Sequence, residues 1–512
     1  MTTVHVIEML LCATLGADLP ADFRLAPPPG TLERSVADEP GFRSGDPVVA
    51  TSYFYWYDAE TKFHVIDPDG TDALTDHPPT LDGFSYKNVD WHARQLADMA
   101  AAGIDVALPV YWGIPMAPKN WSDEGLPPLM AARERLLQQG KRAPRVGMFY
   151  DTSTLQYNGP RYRVDLTTPA GHLWFYGTIR NFFSLVPARH RACVDGKPLV
   201  FLYSAHFAQE VDAALFPEVR RMFREDFGSD LYLVKMRDWP GEADSEYQWG
   251  GAIAPQLHDT AAIGPGYDHS AVPGRAPLIR NRDEGRFYQF AWLRLLGMQP
   301  GGRPWLLHLE TWNELHEGTE ICETAEYGRQ YIELTRRYAD KFHGREQVDP
   351  AEGLPQRPLV SASPEKSDGL KLVPLPDGDG PVVNGTVAGR KAWSTTENRH
   401  SRTTRYLYFD ADYTFLYDGD ESIEVTVGYF DAGPKAFRLH YDSCDPDLSG
   451  VKQEFREGPV QAIEGSRTWK EASFVLPCAR FAGRSNGCDF RIACTDADLA
   501  VSHVSIRRAD EE

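Results

Sequence analysis

Residues 88–111, NVDWHARQLADMAAAGIDVALPVY, decide the fold. Asn88 to Gly103 carries apolar residues at helical spacing and ends on a glycine suited to a C-cap. Ile104 to Tyr111 is an apolar run of strand length. A helix running straight into a buried strand is one unit of a β/α alternation. Outward from it the unit repeats. Strands are predicted at Val48 to Trp56, Arg145 to Tyr150, Leu199 to Tyr203, Leu231 to Lys235, Gly251 to Pro255, Ala262 to Tyr267 and Trp305 to Glu310. Helices are predicted at Leu126 to Gly140, 171–187, 207–227, Arg286 to Met298 and Thr324 to Phe342. Eight strand candidates interleaved with helices over residues 46–345 predict an α/β fold, a (β/α)8 TIM barrel. The alternative, a doubly wound open sheet, would show a glycine-rich first turn, whereas Tyr53 to Asp58 is aromatic.

The chain of 512 residues has room for about three domains, or two if one is a large barrel. Pro350, Pro355, Pro358, Pro364, Pro374 and Pro376 crowd one polar stretch, so 346–384 reads as an extended linker. Residues 385–512 alternate in short segments separated by turn residues, which predicts an all-β sandwich. Residues 1–45 read as a leader or N-terminal extension. Ile7 to Ala17 is apolar and ends in small residues, but no Lys or Arg precedes it. The expectation is a secreted or periplasmic protein.

Lys and Arg number 53 against 73 Asp and Glu, a net charge of −20. Nucleic-acid phosphates and anionic lipid repel such a chain, so no nucleic-acid partner is expected. No apolar run reaches about 18 residues, so no membrane span is expected. Among seven cysteines no pair has CxxC spacing. Cys478 and Cys488 flank a short loop and are candidates either for a disulfide or for two thiols, a choice set by Cα separation. Asp410, Asp412, Thr414 and Glu421 sit at EF-hand-like offsets, but Phe415 occupies the position that needs glycine. No metal or cofactor is expected, and oligomeric state leaves no mark in the sequence.

A barrel collects its chemistry at the C-terminal ends of its strands. Those ends carry Tyr55, Trp56, Tyr57 and Asp58, then Tyr111 and Trp112, Tyr150 and Asp151, Tyr203 with His206, and Tyr267 with Asp268 and His269. Aromatic rings stack on the apolar face of a pyranose and carboxylates accept from its hydroxyls, so the rim suits a glycan or polysaccharide. The densest stretch is Glu310 to Glu320, ETWNELHEGTE, after the last strand. In a helical turn Glu314 and Glu317 would lie about 5–6 Å apart on one face. Paired carboxyls split their pKa values into an acid and a base. Retaining glycosidases hold theirs about 5–5.5 Å apart. Two alternatives stand beside this. One is an acidic helix start. The other is a metal site from His308, Glu310, His316 and Glu317, which lacks HExxH spacing.

The string Trp312-Asn313-Glu314-Leu315-His316-Glu317-Gly318-Thr319 resembles the W-N-E-x-H-E-G-T signature of the family 99 endo-α-mannosidase-like glycoside hydrolases. Phe54 to Tyr57, Trp91 to Val106, Tyr111 to Gly113, Gly264 to Asp268, Arg286 and Trp292 extend the resemblance over roughly residues 48–345. It implies an endo-acting, retaining hydrolase of an α-linked glycan, mannan-like substrates included. In it Glu314 deprotonates the sugar 2-hydroxyl and Glu317 is the acid/base. Trp312, Asn313 and His316 join the substrate-binding set. Leu315 stands where the family often has an aromatic residue. Tyr406 to Asp410, Thr468 to Lys470, Ala479 to Phe481 and Asp489 to Ile492 resemble a sandwich module of bacterial polysaccharide-active proteins. That resemblance implies a carbohydrate-binding role or a spacer.

Overall fold

The computed structural model describes residues 17–34, 41–116, 120–274, 278–299, 301–347, 356–376, 378–398 and 400–509. Two units divide the chain, Met1–Asp349 and Pro350–Glu512.

In the first unit eight strands run parallel: β1 (Val48–Tyr53), β2 (Val106–Tyr111), β3 (Met148–Tyr150), β4 (Lys197–Leu202), β5 (Tyr232–Met236), β6 (Ser245–Tyr247), β7 (Thr260–Ile263) and β8 (Leu306–Leu309). Their hydrogen-bonded order is β6-β5-β4-β3-β2-β1-β8-β7. Parallel strands need crossovers. Five are helical: α1 (Val89–Ala102), α2 (Trp121–Gln138), α3 (Pro169–Leu185), α4 (Leu215–Phe227) and α5 (Arg286–Gly297); a sixth helix, α6 (Gln330–Phe342), follows β8. Three of them, α1, α2 and α3, start on a side-chain cap. The Asn88 side chain caps α1 by accepting from Asp90 N, and Gly103, at φ 84°, ends it. Asn120 and Asp123 form a capping box on α2.

This departs from the expected (β/α)8 pattern in two ways. No helix lies between β5 and β6 or between β6 and β7. No backbone ladder among the described residues joins β6 to β7, so the strand order is an open path with β6 at one end and β7 toward the other. Ser245 Oγ of β6 and Thr260 Oγ1 of β7 meet at 2.7 Å. The predicted sixth strand was misplaced: Gly251 to Pro255 is turn, and the strand is Ser245–Tyr247. The seventh starts at Thr260, two residues early.

Residues 1–16 of the expected leader, Cys12 among them, lie outside the described residues. Residues 17–34 are not a loose extension. Phe23 packs on Trp174 of α3 with centroids 5.5 Å apart, and Thr31 N donates to Ser184 O at 2.8 Å.

The second unit is a sandwich of antiparallel sheets. Its strands are β9 (Leu359–Ser363), β10 (Lys366–Asp368), β11 (Leu370–Val373), β12 (Val382–Val387), β13 (Arg390–Thr395), β14 (Thr404–Ala411), β15 (Glu421–Phe430), β16 (Ala436–Tyr441), β17 (Arg456–Ala462), β18 (Trp469–Ala479), β19 (Phe490–Thr495) and β20 (Ala500–Arg508). One sheet has seven strands around β20, and the other runs β11-β14-β19-β16-β17. Trp393, Phe409, Phe437, Phe474 and Phe490 fill the core between them. The stretch read as a linker, 346–384, therefore holds β9, β10 and β11 and the start of β12. Pro364 sits in the turn between β9 and β10 and Pro374 directly follows β11, positions that leave the ladders intact. Cys478 and Cys488 are not bonded to each other.

Candidate active site

The motif loop leaves β8 at Glu310 and returns at Ile321 without forming the helical turn expected at 314–317. Thr311 Oγ1 accepts from Glu314 N at 2.8 Å, and Thr311 N donates to Thr319 O at 2.9 Å. Gly318, at φ 55°, sits at the reversal, and helix α6 starts only at Gln330. A threonine hydroxyl competing for the Glu314 amide favours the turn over a helix.

Three of the expected substrate residues hold this loop instead. Phe54 N donates to Asn313 Oδ1 at 2.8 Å, and Asn313 Nδ2 returns a bond to Phe54 O at 2.7 Å. Trp312 Nε1 donates to Gln95 Oε1 at 2.7 Å. Tyr57 donates its hydroxyl proton to Asn313 O and accepts from Leu315 N, both at 3.0 Å. Tyr57→Phe removes both bonds and leaves the Leu315 amide only its bond to Asn313 O at 3.0 Å; it is expected to cost about 0.5–1.5 kcal/mol, read as a lower denaturant midpoint at constant slope.

The far end of the loop rests on a group that the sequence did not reveal. Buried Arg282 pairs with Glu320 and with Asp76 (3.3 Å), and donates to Gly318 O (3.0 Å) and Glu320 O (2.9 Å). Its guanidinium lies 4.4 Å from the Tyr327 centroid and 4.6 Å from that of Tyr331. The segment before it also carries the loop: Asp268 N donates to Glu317 O at 2.8 Å. Tyr267 is buried with its hydroxyl 2.9 Å from His269 Nδ1, and the Asp268 carboxylate accepts from Ser270 N.

Within this frame Glu314 and Glu317 are 1% and 2% exposed. Glu314 Oε1 lies 2.8 Å from His316 Nδ1 and also accepts from His316 N at 3.2 Å. His316 Nε2 lies 3.1 Å from His64 O. Oxygen atoms face both ring nitrogens, an arrangement that favours the protonated imidazole. Burial works against that charge, but the charge and hydrogen bond of Glu314 outweigh it and raise the His316 pKa. Burial likewise raises the Glu314 carboxyl. His316 pulls it back, and the neighbouring charge of Glu317 pushes it further up. Glu314 Oε2 is buried and has no hydrogen-bond partner among the described residues.

The aromatic rim divides by the pleat of the strands, because successive side chains point to opposite faces. Tyr55 donates to Ser122 O (2.8 Å), Tyr111 donates to Asp123 Oδ1 (2.6 Å), and Tyr150 packs on Phe175 of α3 (4.9 Å). These three face helices and not the mouth, contrary to expectation. Asp58 is a buried turn residue, accepting from Lys87 Nζ (2.9 Å) and Thr61 Oγ1 (2.8 Å). His206 is exposed, with its ring beside Phe207.

The opposite phase gathers over the acids. Trp56 stacks on His64 (centroids 4.4 Å apart, 4° between planes) and meets Trp112 (5.6 Å), Trp121 (6.1 Å) and His316 (5.5 Å) edge-on. Asp151 accepts from Trp112 Nε1 at 2.5 Å. Tyr203 sits with Phe149 and Trp249 (6.1 and 5.5 Å). His64, Trp112, Trp121 and Trp249 are partly exposed. Of these the sequence reading had only Trp112. Two tryptophans missed, Trp121 at a helix start and Trp249 past β6, lie off the predicted strand ends. Among the described residues no group of three or more His, Cys, Asp or Glu is placed to hold a metal ion. Nor is any described helix long and apolar enough to cross a membrane.

An α/β unit of parallel strands with paired buried acids under an aromatic rim thus precedes an all-β sandwich. The chain belongs to the family described as "Domain of unknown function (DUF5010)", which matches residues 36–354. No curated protein matches it. Among solved structures it is similar to a GH99 endo-α-mannosidase from Bacteroides thetaiotaomicron, at 16% identity and TM-score 0.44, over 58% of this chain and 97% of that one. A glycoside hydrolase-like protein matches at 17% identity and TM-score 0.42, over 59% and 97%. The CBM22-1 xylan-binding domain of Paenibacillus barcinonensis Xyn10C matches at 10% identity and TM-score 0.21, over 31% and 100%.

Proposed function

We propose that this protein is a retaining, endo-acting glycoside hydrolase of an α-linked glycan or polysaccharide, with mannan-like polymers the first to test. We also read its eight-strand sheet as a (β/α)8 barrel lacking two helices. One observation carries the reading: buried Glu314 has one oxygen tied to His316 and the other bare, within reach of the Glu317 charge.

In the reaction, Glu314 Oε2 takes the proton of the sugar 2-hydroxyl. The 2-oxygen then attacks the anomeric carbon while Glu317 protonates the departing glycosidic oxygen. Water next opens the strained 1,2-anhydro ring, giving its proton to Glu317, and Glu314 returns its proton to the 2-oxygen. Two displacements at the anomeric carbon retain its configuration. His316 opposes the rise that burial gives Glu314 and so favours the anionic form that acts as a base. Trp56, Trp112 and Trp121 supply stacking faces for sugar rings.

The test is a reducing-end assay over a panel of α-linked polysaccharides, with NMR of the first-formed anomer. An α-anomer as first product is expected, and a β-anomer overturns the mechanism. The near-complete burial of both acids favours a second reading, a non-catalytic carbohydrate-binding protein on a barrel scaffold. Calorimetric binding of a glycan that is never cleaved decides for it.

A further inference from the structure

Phe63 lies in the loop between β1 and α1, and the chemistry above makes no use of it. Its backbone is fixed: Asp58 N donates to Phe63 O at 3.0 Å, and Lys62 O beside it accepts from Val65 N and Ile66 N at 3.1 and 3.0 Å. Its side chain is nevertheless 41% exposed. Both neighbours stand in the left-handed region, Lys62 at φ 62° and His64 at φ 55°. Residues with a Cβ seldom adopt that conformation, and where they do they cluster at ligand clamps and active sites. The His64 ring lies parallel on Trp56 and takes up one of its faces, and Trp56 is left 3% exposed. The Phe63 ring meets His64 edge-on at 4.3 Å and faces outward.

Direct contacts tie this loop to the acid-bearing one. His64 O lies 3.1 Å from His316 Nε2, and His316 Nδ1 lies 2.8 Å from Glu314 Oε1. Further along, Thr75 Oγ1 donates to His316 O at 2.7 Å and Thr75 N to Leu315 O at 2.9 Å. Ring centroids from His316 to His64 and from His64 to Phe63 are 5.7 and 4.3 Å apart. They make a row that leads from the Glu314 carboxyl out to solvent. We propose that Phe63 is a specificity-determining residue, the stacking platform of an outer sugar subsite that holds a glycan residue beyond those at the cleaved bond. Its place in the substrate chain rests on the hydrolase reading. A pyranose has an apolar C–H face, and a phenyl ring offers it a π face with no polar group of its own to satisfy. Such a platform rewards chain length and not the identity of the reacting sugar, because a short glycoside that fills only the inner sites never reaches it.

The experiment compares Phe63→Ala and Phe63→Trp with the parent, all as full chains, on α-linked manno- and gluco-oligosaccharides from disaccharide to hexasaccharide. Calorimetry in a Glu314→Gln background reads affinity without turnover, and kinetics with Glu314 intact read KM and kcat. The loss in Phe63→Ala is expected to grow with chain length. For the longest oligosaccharides it should reach about 3–10-fold in affinity and in KM, the worth of one aromatic stacking contact. Phe63→Trp, which keeps a π face, should restore it. Equal loss at every length marks a packing role and overturns the proposal, as does no loss at any length or no binding of any member by the parent. If the length-dependent loss is seen and no glycan is cleaved, the hydrolase reading falls and the subsite stands. If glycan is cleaved and Phe63→Ala loses nothing, the subsite falls and the hydrolase reading stands.

Discussion

Glu317→Gln is expected to lower turnover on an unactivated α-linked polysaccharide by about 10²–10⁴-fold, the range that positioned proton transfer contributes. Glutamine keeps the shape and much of the hydrogen bonding of the side chain but cannot deliver a proton to the leaving oxygen. Its backbone anchor, the bond from Asp268 N to Glu317 O, is untouched, so thermal unfolding should stay close to that of the parent protein. An aryl glycoside with an acidic leaving group needs little protonation as its bond breaks. On such a substrate the first step of Glu317→Gln should recover, whereas Glu314→Gln should stay inactive because no base remains for the 2-hydroxyl. Full activity of Glu317→Gln on polysaccharide rules out its acid/base role.

Arg282→Ala is expected to have the largest effect on stability, a loss of about 3–5 kcal/mol at neutral pH, the usual cost of breaking a buried ion pair from one side. It strips the cation from Glu320 and Asp76, both buried, and removes the bonds to Gly318 O and Glu320 O that hold the end of the motif loop. The pH dependence has a definite sign. Burial raises both carboxyls in the folded protein, and Arg282 opposes that rise. Without the arginine their folded values rise further above the unfolded ones. The variant therefore binds more protons folded than unfolded, and its stability falls as pH climbs past the unfolded carboxylate range. The unfolded values are common to both proteins and cancel, so the gap to the parent, read from urea midpoints, should be smallest at acid pH and widen as pH climbs past the parent's own raised folded values. A gap that does not change with pH shows that Arg282 acts through packing on Tyr327 and Tyr331 and not through charge.

What the sequence disclosed of the fold follows the physics of local signals. Seven of the eight strands are apolar runs or lie beside one, and three of the six helices start on a side-chain cap, so both could be found by period and punctuation. Ser245–Tyr247 could not. Three residues with a glutamate at the centre form no apolar run, while Gly251 to Pro255 next to it imitates one. The prolines of 346–384 suggested an extended tether because composition does not say whether a proline falls inside a strand or in the turn beside it. At the site, the motif acids were legible as a cluster, but their conformation was not. Spacing of three suits a helix, and it took a hydroxyl from Thr311, outside the pair, to make it a turn. Arg282 was invisible because its partners, Asp76 and Glu320, are remote in sequence. The tyrosines at the strand ends were over-read for a simpler reason: being at the end of a strand says nothing about which side of the pleat a residue occupies.

That pleat has a practical side for anyone wishing to retool what the mouth accepts. A saturation library spread over the eight tyrosines and tryptophans at the strand tips would spend three of those positions on Tyr55, Tyr111 and Tyr150, whose alteration loosens the scaffold without touching a guest molecule. Randomising Trp56, Trp112, Trp121, Tyr203 and Trp249 confines the search to walls that a guest would meet, and leaves the fastenings of the acid-bearing loop alone.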